Sequence, residues 1–219
     1  MKNKILVAAL ALAAAGTTSA AVLDIEYTQT LGTEITMVTD GAVSEDYLSG
    51  GMQYKALSGA SFEAFCVEIG QSYALAGVQS YTVGSFGAVQ SRQLQGLFST
   101  SYGLLSSDQD RAAFQTAVWE ITHEQDSQLD ASQGSYQFAF LNANSTAEED
   151  AAFLNKVNGF LSAADGYQGP AKYQLSKLQH IDYQDLVTVT AVPEPGTYAM
   201  LLAGLSLVGF VARRRQRAR

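Results

Sequence analysis

Cysteine is almost absent from this chain: one in 219 residues, Cys66. A single thiol excludes an intrachain disulfide, so no disulfide framework holds the fold. Histidine is nearly as scarce, with only His123 and His180. One cysteine, two histidines and scattered acids give no ligand spacing, and no Asp/Asn-Gly calcium loop is present. Neither a metal centre nor a cofactor is expected. Basic residues are also few where they would matter. Seven of the 13 lysines and arginines are Lys2, Lys4, Arg213, Arg214, Arg215, Arg217 and Arg219, and one of the 21 acids is Glu194. Residues 21–192 are left with six basic and 20 acidic groups, a net charge of −14. Such a body repels nucleic acid and anionic membrane surfaces.

Long apolar runs are missing too. The first, Ile5 to Ala15, follows the basic leader Met1-Lys2-Asn3-Lys4 and precedes small residues at Thr18-Ser19-Ala20. That is the pattern of a secretory signal peptide, residues 1–20, cut after Ala20. The second, Tyr198 to Ala212, has 15 residues and is followed by the arginine cluster. As a helix it rises about 22 Å against a hydrocarbon core of about 30 Å. With Gly196, Thr197 and snorkelling arginines it makes a short transmembrane helix, its basic end in the cytoplasm.

What is plentiful points to a folded body. Apolar residues make up 47% and glycine occurs 19 times, while charged residues are only 16%. Residues 21–191 are expected to form one α+β domain, mainly antiparallel strands with two to three helices packed on them. Alternation predicts two strands in 21–40 with a turn at Leu31-Gly32, then a polar loop from Gly41 to Gly51. Further strands are expected at Met52–Leu57, Ser61–Ile69, Val78–Val83, Tyr136–Leu141, Tyr173–Leu178 and Leu186–Val192. Helices are expected at Val89–Tyr102, from Ser107 with a capping box to Asp110, and at Ala147–Leu161 behind a cap at Asn144. In the Ser61–Ile69 strand Phe65, Val67 and Ile69 share one face, and Ala64, Cys66 and Glu68 share the other. In the second helix Phe114, Ala117, Val118 and Ile121 form the buried stripe, with Gln115, Trp119 and Thr122 on an adjoining face.

Two segments carry the candidate chemistry: Phe65-Cys66-Val67-Glu68 and Phe114-Gln115-Thr116-Ala117-Val118-Trp119, which holds the only tryptophan. Together they resemble the thioester domains of bacterial surface adhesins. The resemblance covers roughly Ser61 to Thr122. It implies an internal thioester between Cys66 and Gln115, with Phe65, Phe114 and Trp119 excluding water and Glu68 at the family's acidic position. Attack of the Cys66 thiolate on the Gln115 carboxamide would expel ammonia. A target amine would then take the acyl group in a single-use transfer, not in enzymatic turnover. The partner so implied is an amine-bearing surface molecule or an extracellular polysaccharide or protein.

The C-terminal stretch Val192-Pro193-Glu194-Pro195, with the apolar run and the arginines behind it, resembles the PEP-CTERM sorting signal of Gram-negative bacteria. This gives residues 192–219 the role of a sorting tail. It implies a precursor held in the inner membrane, processing by an exosortase, and release to the cell surface or extracellular matrix. Two other functions remain open at this point. One is a non-covalent matrix component in which Cys66 and Gln115 merely pack. The other is a cysteine hydrolase pairing Cys66 with His123, although no glycine-rich nucleophile turn precedes Cys66.

Overall fold

The structure, a computed structural model, describes residues 21–39, 43–125, 128–140 and 145–192, together with 204, 205 and 208. Among them are strands β1 (Val22–Thr39), β2 (Val43–Ala56), β3 (Ser61–Cys66), β4 (Val78–Gly84), β5 (Tyr136–Ala139), β6 (Tyr173–Gln179) and β7 (Leu186–Ala191). The helices are α1 (Ala88–Ser101), α2 (Asp108–His123) and α3 (Ala147–Asp165). Every strand pairing is antiparallel. The order is β2-β3-β7-β6-β4-β1-β5, and β1 also pairs with β2. Six strands thus close into a ring, with β5 added along the far half of β1. The expected class, antiparallel strands with helices packed on them, is the class observed.

Two local expectations are corrected. No turn occurs at Leu31-Gly32; β1 runs straight through, with Leu31 opposite Gly51 and Gly32 opposite Gly50. The glycines serve a close approach of two backbones instead. A Cβ on Gly32 would lie 2.0 Å from the Ser49 carbonyl oxygen, and one on Gly50 would lie 2.3 Å from that of Leu31. The polar stretch after Gly41 is likewise no loop, since β2 begins at Val43 and pairs with β1 along its length. Its acidic residues have weak strand propensity, and the ladder to β1 overrides it.

The helices start where their caps dictate. Ser107 and Asp110 form a reciprocal capping box on α2, and Thr146 and Glu149 form one on α3. Asn144, expected to cap α3, lies outside the described residues. Helix α2 is buried along its whole middle, from Ala112 through Ile121, rather than on one stripe. It lies between the strands β1, β2 and β3 on one side and α1 and α3 on the other. Ser49 Oγ ties β2 to it, donating to the Ala112 carbonyl at 2.9 Å. Helices α1 and α3 touch at Gly96, where a Cβ would lie 2.2 Å from the Ala164 carbonyl oxygen.

The core between β3 and the helices is aromatic. Phe65 lies 4.7 Å from Phe114 and 6.0 Å from Phe98, and Phe98 meets Phe114 edge-on at 4.9 Å. Burying each ring is worth about 2–3 kcal/mol, and the edge contacts add about 1. The expected signal peptide, residues 1–20, and nearly all of the expected membrane span, Tyr198 to Ala212, lie outside the described residues. Among the described residues no helix is long and apolar enough to cross a membrane.

Candidate functional site

Cys66 is the last residue of β3 and is 6% exposed. Strand alternation separates it from Phe65, which turns to the helices. The thiol turns to the opposite face, where Met52 Sδ lies 3.1 Å from Cys66 Sγ. Burial pushes the thiol from 9.0 up to about 12. Neither histidine offsets that burial as a base. His123 donates from Nε2 to the Val67 carbonyl at 2.6 Å, and burial lowers its basicity. His180 sits in the β6–β7 loop and does not hydrogen-bond the sulfur.

Gln115, 1% exposed, reaches Cys66 from α2. Its Oε1 accepts the Cys66 backbone N–H at 2.7 Å, and its Nε2 donates to the Cys66 carbonyl at 2.8 Å. The carboxamide acts as a missing strand residue. Pairing of β2 with β3 runs from Lys55/Ser61 to Met52/Ala64 and stops there. Extended, the same register would set Gly50 against Cys66, and the Gln115 amide fills that place in the ladder. Backbone polar groups lie in the plane of a sheet, whereas side chains stand perpendicular to it. Gln115 is therefore beside the strand, and the sulfur is above it.

The side chain at the sulfur is Gln184, which sequence reasoning missed. Cys66 Sγ donates to Gln184 Oε1 at 2.6 Å. Antiparallel pairing explains how it gets there: Cys66 faces Leu186 across β3 and β7. Gln184 is two residues before Leu186, so it falls on the same face at the diagonal position. The loop is also stitched to the segment after β3. Val67 N–H donates to the Asp185 carbonyl at 2.8 Å, and Gln184 N–H to the Ser72 carbonyl at 3.2 Å. Oriented to satisfy both ends of its amide, Gln71 donates to Glu68 Oε2 at 2.6 Å and to the Tyr183 carbonyl at 2.7 Å. The only advance signal for Gln184 was a glutamine just ahead of an alternating strand, which is not specific.

A cavity of about 240 Å³ opens on this pair. Cys66 and Gln184 line it together with Trp119, Tyr47, Tyr73 and Asp46. Of the aromatics expected around the thioester, Trp119 stands in the cavity wall, edge-on to Tyr47 at 5.9 Å. Phe65 and Phe114 lie behind β3, on the face away from the thiol. Glu68 lies beyond the end of β3 and orders the adjoining loop through Gln71. Pro193, Glu194 and Pro195 lie outside the described residues.

This arrangement can support acyl chemistry confined to two side chains. A protonated thiol is held against a carboxamide, both are nearly shut off from water, and one small cavity leads to them. Among the described residues the thiol's hydrogen-bond partners are Met52 and Gln184.

Comparison with known proteins adds two findings. Residues 191–215 match the PEP-CTERM protein-sorting motif, the signal implied by Pro193-Glu194-Pro195 and the tail. The chain is also similar to a solved structure, the N-terminal thioester domain of a surface protein from Clostridium perfringens in a cysteine-to-alanine mutant form. That similarity is at 13% identity with a TM-score of 0.43, covering 72% of this chain and 99% of that one. No curated protein matches the chain.

Proposed function

We propose that this is an exported surface or matrix protein that attaches covalently to amine-bearing molecules through an internal thioester, with Gln184 as the acyl partner of Cys66. The observation carrying this reading is the 2.6 Å contact between Cys66 Sγ and Gln184 Oε1 at the wall of the cavity. The sequence resemblance gives the acyl role to Gln115, and the mass test below separates the two readings. The Gln115 carboxamide is engaged by the Cys66 backbone at both ends, and its Nε2 would have to give up its hydrogen bond to leave as ammonia. In the Gln184 reading, Gln115 holds the end of β3 in place beneath the thiol.

The chemistry balances within the site. A carbon–sulfur bond forms at Cδ of Gln184 and the carbon–nitrogen bond breaks. The thiol proton leaves with the amide nitrogen as ammonia. A primary amine entering the cavity then forms a carbon–nitrogen bond to the same carbon, and sulfur departs, recovering a proton from the amine. Each chain reacts once. Burial of the pair protects the ester from hydrolysis before an amine arrives. The sorting motif supports display outside the cell, after passage as a membrane-held precursor processed by an exosortase.

Intact mass of the purified protein, with and without methylamine, tests the reading. The wild type should lack one ammonia, and methylamine should add at Gln184 and unmask Cys66. Cys66→Ala and Gln184→Ala should both show full mass. A deficit that persists in Gln184→Ala but vanishes in Gln115→Ala would return the acyl role to Gln115. Full mass and no methylamine uptake in the native wild type would leave a non-covalent structural component of the envelope or matrix.

A further inference from the structure

The cavity over the thiol is built along one face of β2. Alternation puts Asp46, Leu48, Gly50 and Met52 on the same side of that strand, and all four line the cavity with Cys66. Met52 lies against the sulfur. Gly50 has no side chain and leaves the way open from there to Leu48 and Asp46. Asp46 is exposed and stands at the outer end, four residues beyond Gly50 and about 13 Å along the strand. Its carboxylate is oriented across the ladder. Thr36, its partner in the β1–β2 register, donates from Oγ1 to Asp46 Oδ1 at 3.0 Å. Tyr47 and Trp119 close the cavity on the side of α2, and Tyr73 on the side of the segment after β3. Among the described residues that line the cavity, Asp46 is the one carboxylate, and none is a lysine or arginine. Three cations of the body are held elsewhere: Arg111 by Glu63, Lys156 by Asp110 and Lys177 by Asp185.

We propose that Asp46 sets the ligand class of this cavity: a compound with two primary ammonium groups, one held at Asp46 while the other reaches the acyl carbon beside Cys66. The inference rests on the thioester reading of Cys66 and deepens it. A carboxylate at one end and a thioester at the other, separated by a strand face, fit a ligand with a cation at each end. The aromatic wall takes the methylene chain between them and favours a cation over a neutral end group. The charge of −14 on residues 21–192 acts in the same direction by drawing multiply charged cations to the body. The acyl transfer is unchanged. The near amino nitrogen, unprotonated, bonds to the acyl carbon, and sulfur leaves with the proton that the amine gives up. The far group stays protonated at Asp46 and takes no part in the chemistry.

The test follows, by intact mass, the rate at which the full-length chain in detergent takes up octamethylenediamine or aminooctanol, whose far end is neutral. Asp46→Asn keeps an acceptor for Thr36 and removes the charge. The diamine-to-aminooctanol rate ratio, counted per amino group, should be about fivefold higher in the wild type than in Asp46→Asn. Differences between the probes themselves cancel in that comparison. The excess should shrink as salt rises from about 0.05 M to about 0.5 M. Methylamine is too short to touch Asp46 and should react equally fast with both proteins. Equal ratios in the two proteins, or a variant slowed alike toward all three amines, overturn the proposal. Cys66→Ala separates ligand class from chemistry, because it cannot be acylated. The sole tryptophan, Trp119, stands in the cavity wall, and its emission reports occupancy. In Cys66→Ala the emission should respond to the diamine in preference to aminooctanol, and adding Asp46→Asn should abolish about fivefold of that preference. A wild type that never takes up an amine defeats the thioester reading, while this titration still decides the ligand class. A preference unchanged by Asp46→Asn there overturns the proposal.

Discussion

The Gln115 carboxamide pairs with both backbone polar groups of Cys66, taking its N–H at 2.7 Å and giving to its carbonyl at 2.8 Å. A helix side chain thereby completes a β-ladder at the point where the neighbouring strand stops pairing. Removing it leaves two buried backbone groups without partners. Gln115→Ala is expected to cost about 2–4 kcal/mol, read as a lower urea midpoint. Gln115→Glu should sort by protonation. The neutral acid can still donate to the carbonyl, but the carboxylate meets it with a second acceptor. Its loss of stability relative to wild type should be smaller near pH ~4 than near pH ~7.

The buried thiol makes a pH-dependent contribution while it remains unacylated. Its folded-state pKa is raised from 9.0 to about 12 by burial. The unfolded chain ionises first, so the contribution is full below the unfolded value and is lost as pH rises toward the folded one. Between pH ~9 and ~12 the unacylated protein should lose about 1.4 kcal/mol per pH unit relative to Cys66→Ala. Urea unfolding of both proteins across that range measures the difference. Once sulfur is acylated there is no proton to lose, and the slope should disappear.

The cap of α2 is also an electrostatic anchor. Asp110 accepts from Ser106 and Ser107 and pairs with Lys156 of α3 at 2.5 Å. Partial desolvation works against its charge, but hydrogen bonds from Lys156, Ser106 and Ser107 hold its carboxyl well below the usual range. Asp110→Ala should cost about 1–2 kcal/mol at neutral pH. The folded-state pKa is depressed, so this advantage is present above the unfolded value and is lost as pH falls through the folded one. Thermal unfolding of the two proteins should therefore converge in strong acid.

Two helical glycines should respond in opposite directions to the same change. Gly96→Ala forces a methyl group against the Ala164 carbonyl and pushes α1 away from α3, so it should lower the melting temperature. Gly159 in α3 is exposed, and nothing lies within 4 Å of an added Cβ. Gly159→Ala should stabilise by about 0.5–1 kcal/mol through helix propensity alone.

Most of the secondary structure was legible because its signals are local. The capping box at Ser107 and Asp110 lies within four residues. Alternation within six residues of β3 already put Phe65 and Cys66 on opposite faces. The sorting tail was legible for the same reason, as a motif, an apolar run and a basic end in direct succession. Where local signals misled, a distant partner was responsible. Leu31-Gly32 reads as a turn until Gly50 is placed opposite it, and the polar start of β2 reads as a loop until β1 pairs with it.

The site divides along the same line. Cys66 and Gln115 stand out in the chain, and the two do meet, but only the fold decides through which atoms. The plane of the sheet sends the Gln115 amide to the Cys66 backbone. The β3–β7 register brings Gln184, 118 positions away in sequence, to the sulfur. A register between strands so far apart is set by which faces the whole core can bury together. No window of residues around Gln184 contains that information, which is why its contact with the thiol emerges only when the ring of strands is closed.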